Sequence, residues 1–531
     1  MNEGKICFIT CVNDEIKYQK MLGYLANLEV PAGFETEVVT MKEINGMAVG
    51  YNQGMRSSDA KYKVYVTQDT LITNRCFIRD VIRIFSKDNT IGMIGVLGNE
   101  VIPTSAICQK AQKRMGRIQD INTGKILSWK NPEDLYEKVQ AIDGFLMITQ
   151  YDISWREDIF TGEHFYDLAQ SVEFARKDYQ VVVARQDEPW CITNYSNLKN
   201  DSYEKDRNLF LDEYSKDVYP LVSILIPTYN RPAYFKFALE SAINQTYRNI
   251  EIIIGDGSKD NQTEDLIQPY LKNRRIKYFR DSSDINVARW RKLENDAEGE
   301  YISWLLDDDI IHKDKISVMV SYYLEYENIV LVTSHRQIID AAGNECRDIK
   351  ATLPICKTTS IFSGEEIGKN ILIGMLNFVG ELSTVLLKKE FLTNGKRANY
   401  FKNVENEYNW RYIALGDIIT WLDVLHKGNV VYICDTLNYF RLHGGQSQNA
   451  LFVQVLGLID WFRLMNDSYK AKLYLTNEED LYNALNVWLK NTASCKLNIG
   501  PDNVREFEHV NVLKKYIKEA EEKFVVYNSR G

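Results

Sequence analysis

At 531 residues, with 45% hydrophobic and 26% charged side chains, the chain has the make-up of a soluble globular protein too long for a single core. Two domains of about 200 residues and a smaller extension are expected. A formal charge of -9 supplies no basic field, which excludes nucleic acid as an expected partner.

Nine cysteines run from Cys7 to Cys495 without a CxxC pair. That spacing argues against a disulfide framework or a structural zinc site and points to a reducing compartment. The opening MNEGKICFITCVNDE has no cleavage-type small residues, and no window approaches 18 uninterrupted apolar residues. A cytoplasmic location is therefore expected.

In chain order, the first half reads KICFITCVN, FETEVVTM, KYKVYVTQD ending at Asp69, AIDGFLMIT, HFYD ending at Asp167, and YQVVVARQDEPW. A charged stretch from Asn197 to Tyr219, poor in strand formers, precedes an apolar run opening at Pro220, so a boundary is placed near residue 216. The second half then repeats the order with VSILIPTYN, IEIIIGD, EYISWLLDD, VGELSTVLLKK, LGD ending at Asp417, and NVVYICDTLNYFRLH. Asp69 and Asp167 are 98 residues apart, and Asp308 and Asp417 are 109 apart, so the layout recurs although the sequences differ.

Three of these apolar, β-branched or aromatic runs, VSILIPTYN, IEIIIGD and EYISWLLDD, stop abruptly at polar residues, as a buried parallel strand does at its carboxyl edge. Ligands of open α/β sheets bind at that edge. Three consecutive carboxylates, Asp307, Asp308 and Asp309, close the run GEYISWLLDDD. They supply hard oxygen ligands suited to Mg²⁺ or Mn²⁺, an ion that commonly serves a diphosphate.

Beyond residue 450 the apolar spacing becomes three and four, as expected for helices capping the second domain. A second option leaves Leu451, Phe452, Trp461, Phe462 and Met465 to touch a membrane surface or partner. The expected domains are thus residues 1–215, 216–450 and a helical extension at 451–531.

IPTYNR, GDGSKD, GEYI with its acidic cluster, LGDIITWLDVLHKGNVVYI and YFRLHGGQSQ stand in one order over residues 220 to 445. On these motifs the second half resembles a family 2 glycosyltransferase of the GT-A fold. The resemblance implies a mostly parallel, Rossmann-like sheet and a metal-dependent, inverting transfer of a sugar from a nucleotide-sugar donor, typically a UDP-sugar. The implied acceptor is a bacterial surface glycan, a lipid-linked glycan or a protein. A lipid-linked acceptor would bring peripheral contact with the inner face of the cell membrane.

By the same resemblance Pro227, Thr228 and Tyr229 wall the nucleobase pocket, with Arg231 beside them, and Asp256 accepts from the base imide. Asp307 faces the ribose, Asp308 and His443 hold Mn²⁺ or Mg²⁺, and Arg289 and Arg291 offset diphosphate charge. Glu381 meets a sugar, and Asp417 is the base that takes the acceptor hydroxyl proton. Leu306 stands where the commonest family pattern has an aspartate, and Gly416 where a glutamate precedes the base. Everyday structural readings stand beside these: Asp256 as the turn residue before Gly257, Asp309 as N-cap of the helix opening at HKDKI, Asp417 as N-cap ahead of IITWLDVL, His443 as a structural histidine, and Arg289 and Arg291 as solvated residues on a helix face.

The first half, through AVGYNQGMRSSDAKYKVYVTQD, AIDGFLMITQYDISWREDIF, HFYDLAQSVEF and EPWC, resembles a streptomycin-biosynthesis-type glycosyltransferase-like family. Carried across, Asp69 becomes the metal or nucleotide carboxylate, Asp143 the sugar contact and Asp167 the base, with His164 in support. Thr67 and Thr193 occupy positions where histidine is common, which weakens a metal site. The first domain is then either a second transferase, making the chain bifunctional, or a non-catalytic copy that binds glycan. Sugar nucleotidyltransfer is disfavoured because neither FITCVNDEI nor IPTYNRPAY offers a glycine-rich phosphate loop.

Overall fold

A computed structural model describes residues 1–195, 201–281, 286–392, 414–444, 451–494 and 504–528. It divides into two compact units, Met1–Tyr219 and Pro220–Gly531, so the break falls at the end of the helix Asp201–Val218.

In the first unit Asn2–Val12 is the hub, running parallel to Glu35–Lys42 on one side and Ala60–Val66 on the other. Leu146–Thr149 is inserted next, antiparallel both to Ala60–Val66 and to Ile91–Gly95. Gln180–Ala184 continues parallel to Ile91–Gly95. Every residue of Ile91–Gly95 and Leu146–Thr149 is buried, as strands covered on both faces must be.

The second unit repeats this order. Val222–Thr228 runs parallel to Ile250–Asp256 and Tyr301–Trp304. Leu386–Lys388 is inserted antiparallel to Tyr301–Trp304 and Ile329–Ile339, and Asn429–Arg441 continues parallel to the latter. Ile276–Arg280 adds an edge strand beside Ile250–Asp256. One antiparallel strand set into a parallel sheet at the same place in both units is the tandem α/β arrangement expected from the sequence.

The helices Leu451–Lys470, Glu478–Ser494 and Val504–Asn528 follow the second sheet. Ile459, Phe462, Met465, Trp488 and Leu513 lie in one core with the strand residues Leu225, Ile253 and Trp304. Trp461, Phe462 and Met465 are buried there, at 8%, 3% and 0% exposure, which corrects the option that they face a membrane or partner. Their packing partners are the strands and helices of their own unit. No helix among the described residues is long and apolar enough to cross a membrane. The eight described cysteines are free thiols.

Candidate active site

In the second unit Val222–Thr228, Ile250–Asp256 and Tyr301–Trp304 run parallel, so all three end on one edge and deliver their following residues together. Asp307, at 6% exposure, is held by its neighbours on that edge. Its Oδ2 accepts from the Thr228 hydroxyl at 3.0 Å and from the Tyr229 backbone N–H at 3.1 Å. Arg231 Nη1 bridges the acid pair, 3.3 Å from Asp307 Oδ1 and 2.9 Å from Asp308 Oδ2. Burial, and then the charge of Asp308, push Asp307 up to about 6.

The imidazole Nε2 of His443 lies 3.0 Å from Asp308 Oδ2. It reaches that point because Asn429–Arg441 is seated by Arg441, whose Nε donates to the Asp308 carbonyl at 2.8 Å and whose backbone N–H donates to Asp309 Oδ1 at 3.1 Å. Tyr234 packs on the other face, its ring centre 5.0 Å from that of His443. Asp309 is thereby committed to the sheet and is not an N-cap: Asp314 precedes the helix Lys315–Glu325. The strand Ile310–Ile311 between them pairs with Asn429–Arg441 and separates Asp309 from the helix.

Asp256 is fully buried and takes the turn role expected of it. Oδ1 accepts from the Ser258 N–H at 2.7 Å, closing the turn over Gly257, while Oδ2 accepts from the Tyr278 hydroxyl at 2.9 Å. A carboxylate has about four lone-pair sites, so capacity remains for a ring N–H. Arg289 is 4% exposed and lies so close over Gly257 that a Cβ there would meet its guanidinium at 1.6 Å. Arg291, its companion in the sequence reading, is exposed on the same helix and is not buried with it. Tyr229 presents 42% of its surface and Pro227 is half-buried, while Thr228 is turned inward to Asp307.

Asp417 stands in the first turn of the helix Gly416–Leu425. Its Oδ1 accepts from the Ile418 N–H at 2.8 Å and its Oδ2 from Asn377 Nδ2 at 2.7 Å. Burial, with a contribution from Glu381, pushes this carboxyl up to about 6. Glu381 also raises Asp309, so it lies within electrostatic reach of both. Arg336, 1% exposed, places Nε 2.6 Å from Glu381 Oε2 and donates from Nη2 to the Asn377 carbonyl at 2.7 Å. Arg336 and Asn377 thus position Glu381 and Asp417, and neither was singled out from the sequence. Arg336 did leave a signal: a guanidinium in a strand that opens IVLV and closes II must have a buried partner. Of the second-half motifs, residues from Gly445 onward in YFRLHGGQSQ lie outside the described residues.

In the first unit Asp69, Asp143, His164 and Asp167 all line one cavity of about 290 Å³, together with Thr67, Thr193, Tyr195 and Tyr203. Asp167 begins the helix Tyr166–Ala175 and accepts from the Leu168 N–H at 2.9 Å. Burial, then the charge of Asp143, push it up to about 7. Asp143 is held by Arg114 Nη2 at 2.8 Å. The hydroxyls of Thr67, Thr70 and Thr193 form a chain with 2.8 Å links, and Thr67 donates to Asp69 at 2.9 Å. The two positions where histidine was expected therefore meet in space through Thr70. The packing of His164 on Tyr203, ring centres 5.3 Å apart, sets one wall.

A model described as "Glycosyltransferase like family" matches residues 7–214, and one described as "Glycosyl transferase family 2" matches residues 223–379. An uncharacterized glycosyltransferase of Haemophilus influenzae is 33% identical over 227 residues, which cover 42% of this chain and 80% of that protein. The chain belongs to the family 2 glycosyltransferases. An uncharacterized glycosyltransferase of Rickettsia felis is 40% identical over 144 residues, and there the chain spans only 23% of the relative's length. Among solved structures, the chain is similar to S. aureus TarS 1-349 in complex with UDP, at 14% identity and TM-score 0.37, over 52% of this chain and 73% of that one.

Proposed function

We propose that the second unit transfers a sugar from a nucleotide-sugar donor, of the UDP-sugar type, to a hydroxyl of a glycan, lipid-linked glycan or protein acceptor, with inversion. The observation that carries this reading is the meeting of Asp308, His443 and Arg231 at the carboxyl edge of the sheet. Cationic and metal-ligating groups gathered beside carboxylates suit a diphosphate, which neither group alone would hold.

Among the described residues no group of three or more histidine, cysteine or acidic side chains is arranged as a metal site. A two-ligand site fits nonetheless. The Asp308 carboxylate and the His443 imidazole, in contact at 3.0 Å, are donor types that a divalent metal ion takes. Asp308 and His443 would hold Mn²⁺ or Mg²⁺, and such an ion supplies charge neutralisation for the departing diphosphate.

The remaining work falls to the chain's own groups. Tyr229 offers an exposed ring to the base, Asp256 accepts from its ring N–H, and Asp307 faces the ribose. Arg231 and Arg289 offset phosphate charge, and Glu381 contacts a sugar. Asp417, poised near 6, takes the acceptor proton as the hydroxyl attacks.

Donor hydrolysis across a panel of nucleotide sugars, in Mn²⁺ and in EDTA, tests the reading. Metal-dependent turnover is expected, falling by roughly 10²-fold or more in Asp308→Asn. Turnover of no donor, or turnover indifferent to Asp308→Asn, overturns it.

A further inference from the structure

The two units place carboxylates at equivalent points of one topology. Asp69 follows Ala60–Val66 as Asp307 and Asp308 follow Tyr301–Trp304, and each strand lies beside the hub of its sheet. Asp143 and Glu381 stand just ahead of the inserted antiparallel strands Leu146–Thr149 and Leu386–Lys388. Asp167 and Asp417 each open the helix that leads into the next parallel strand.

What surrounds the carboxylates differs. After its first strand the second unit sets Tyr229 and Arg231, whereas the first sets Asn13 and Asp14, whose backbone N–H groups both donate to Gln68 Oε1 at 2.9 Å. The cavity is lined by four acids, Asp69, Asp143, Glu163 and Asp167, and by no lysine or arginine among the described residues. Arg114, behind the wall, is committed to Asp143 and to the Tyr195 hydroxyl, and its guanidinium lies 4.4 Å from the centre of the Trp129 ring. Beside Asp69, the place of a ligating nitrogen is taken by the hydroxyl chain Thr67–Thr70–Thr193.

Among the described residues, a diphosphate entering this cavity would meet like charge with the His164 imidazole but no lysine or arginine to offset it. Burial, and then the charge of Asp143, already push Asp167 up to about 7. An uncharged pyranose meets the opposite situation. Its hydroxyls donate to the carboxylates, and the hydroxyls of Thr67 and Thr193, whose own protons are spent in the chain that ends at Asp69, keep lone pairs to accept. Its apolar ring face has aromatic walls to rest on, since Phe165 and Tyr203 pack 5.1 Å apart at the cavity and Tyr195 faces it as well.

We propose that the first unit is a metal-independent binding site for an uncharged sugar residue, a glycan-holding site and not a second donor site. This departs from Asp69 as a metal or nucleotide carboxylate and from Asp167 as a base, and keeps Asp143 as a sugar contact. Only the description of that sugar as part of the acceptor rests on the transferase reading of the second unit.

Saturation-transfer NMR on the full chain in EDTA, with the methyl glycosides of glucose, galactose, mannose and N-acetylglucosamine and with UDP as probes, tests it. At least one glycoside should receive saturation, and that signal should fall at least fivefold in Asp69→Asn/Asp167→Asn but not in Asp308→Asn. Asn194→Ala, an exposed lining position with little bearing on folding, should weaken it as well. Saturation of none of the four glycosides overturns the proposal. So does a UDP signal abolished by Asp69→Asn/Asp167→Asn and kept in Asp308→Asn. Failure of donor turnover with the glycoside signal intact would remove the transferase reading alone.

Discussion

Asp417 shows how one side chain's surroundings fix when it can work. Burial disfavours its charged form and Glu381 adds to that, while the Ile418 N–H and Asn377 amide favour the charge without cancelling the rise. In its proposed role as base, Asp417 must be ionised to accept a proton, so kcat/KM is expected to climb tenfold per pH unit below about 6 and to level above it. Asn377→Ala removes a donor that stabilises the ionised form more than the neutral one. Its acid limb should move to higher pH, and an unmoved limb in the pH–rate profile would deny Asn377 this role. Asp417→Asn should lose roughly 10²–10⁴-fold of the transfer rate, with the fold retained by circular dichroism.

At the scale of elements, the strands that carry the site were legible because each announces itself twice, by an apolar run and by an abrupt polar stop. Val222–Thr228, Ile250–Asp256 and Tyr301–Trp304 all do so, and Asp256 and Asp307 follow at their ends. Local pattern cannot show which distant elements meet. Asn377 reaches Asp417 across 40 residues, and Thr70 joins Thr193 across 123, so their pairing follows from sheet order. Helices behave likewise: their periodicity shows that a face is buried but not against what. Trp488 is fully buried, with its indole N–H donating to the Leu458 carbonyl at 2.8 Å, which ties Glu478–Ser494 to Leu451–Lys470. Trp488→Ala leaves a void and an orphaned carbonyl and should cost about 3–5 kcal/mol, read as a lowered denaturant midpoint for the second unit.

For the whole molecule, the decisive question is where cooperative units begin and end. The first unit has its own cores, one around Phe8, Ile94 and Ile148 and another around Tyr51, Met147 and Trp155. The second has a core in which Leu225 and Trp304 from the sheet share neighbours with Ile459, Trp488 and Leu513 from the terminal helices. Removing residues 451–531 would therefore strip one wall from that core and bare its apolar strands, which a sheet does not survive by adjusting side chains. A fragment of residues 220–450 is expected to aggregate or to lack a cooperative transition in calorimetry. A fragment of residues 220–531 should melt cooperatively and keep metal-dependent donor hydrolysis. A soluble, cooperatively folding 220–450 fragment that turns over donor would show that the helices are an appendage and that the site needs only the sheet.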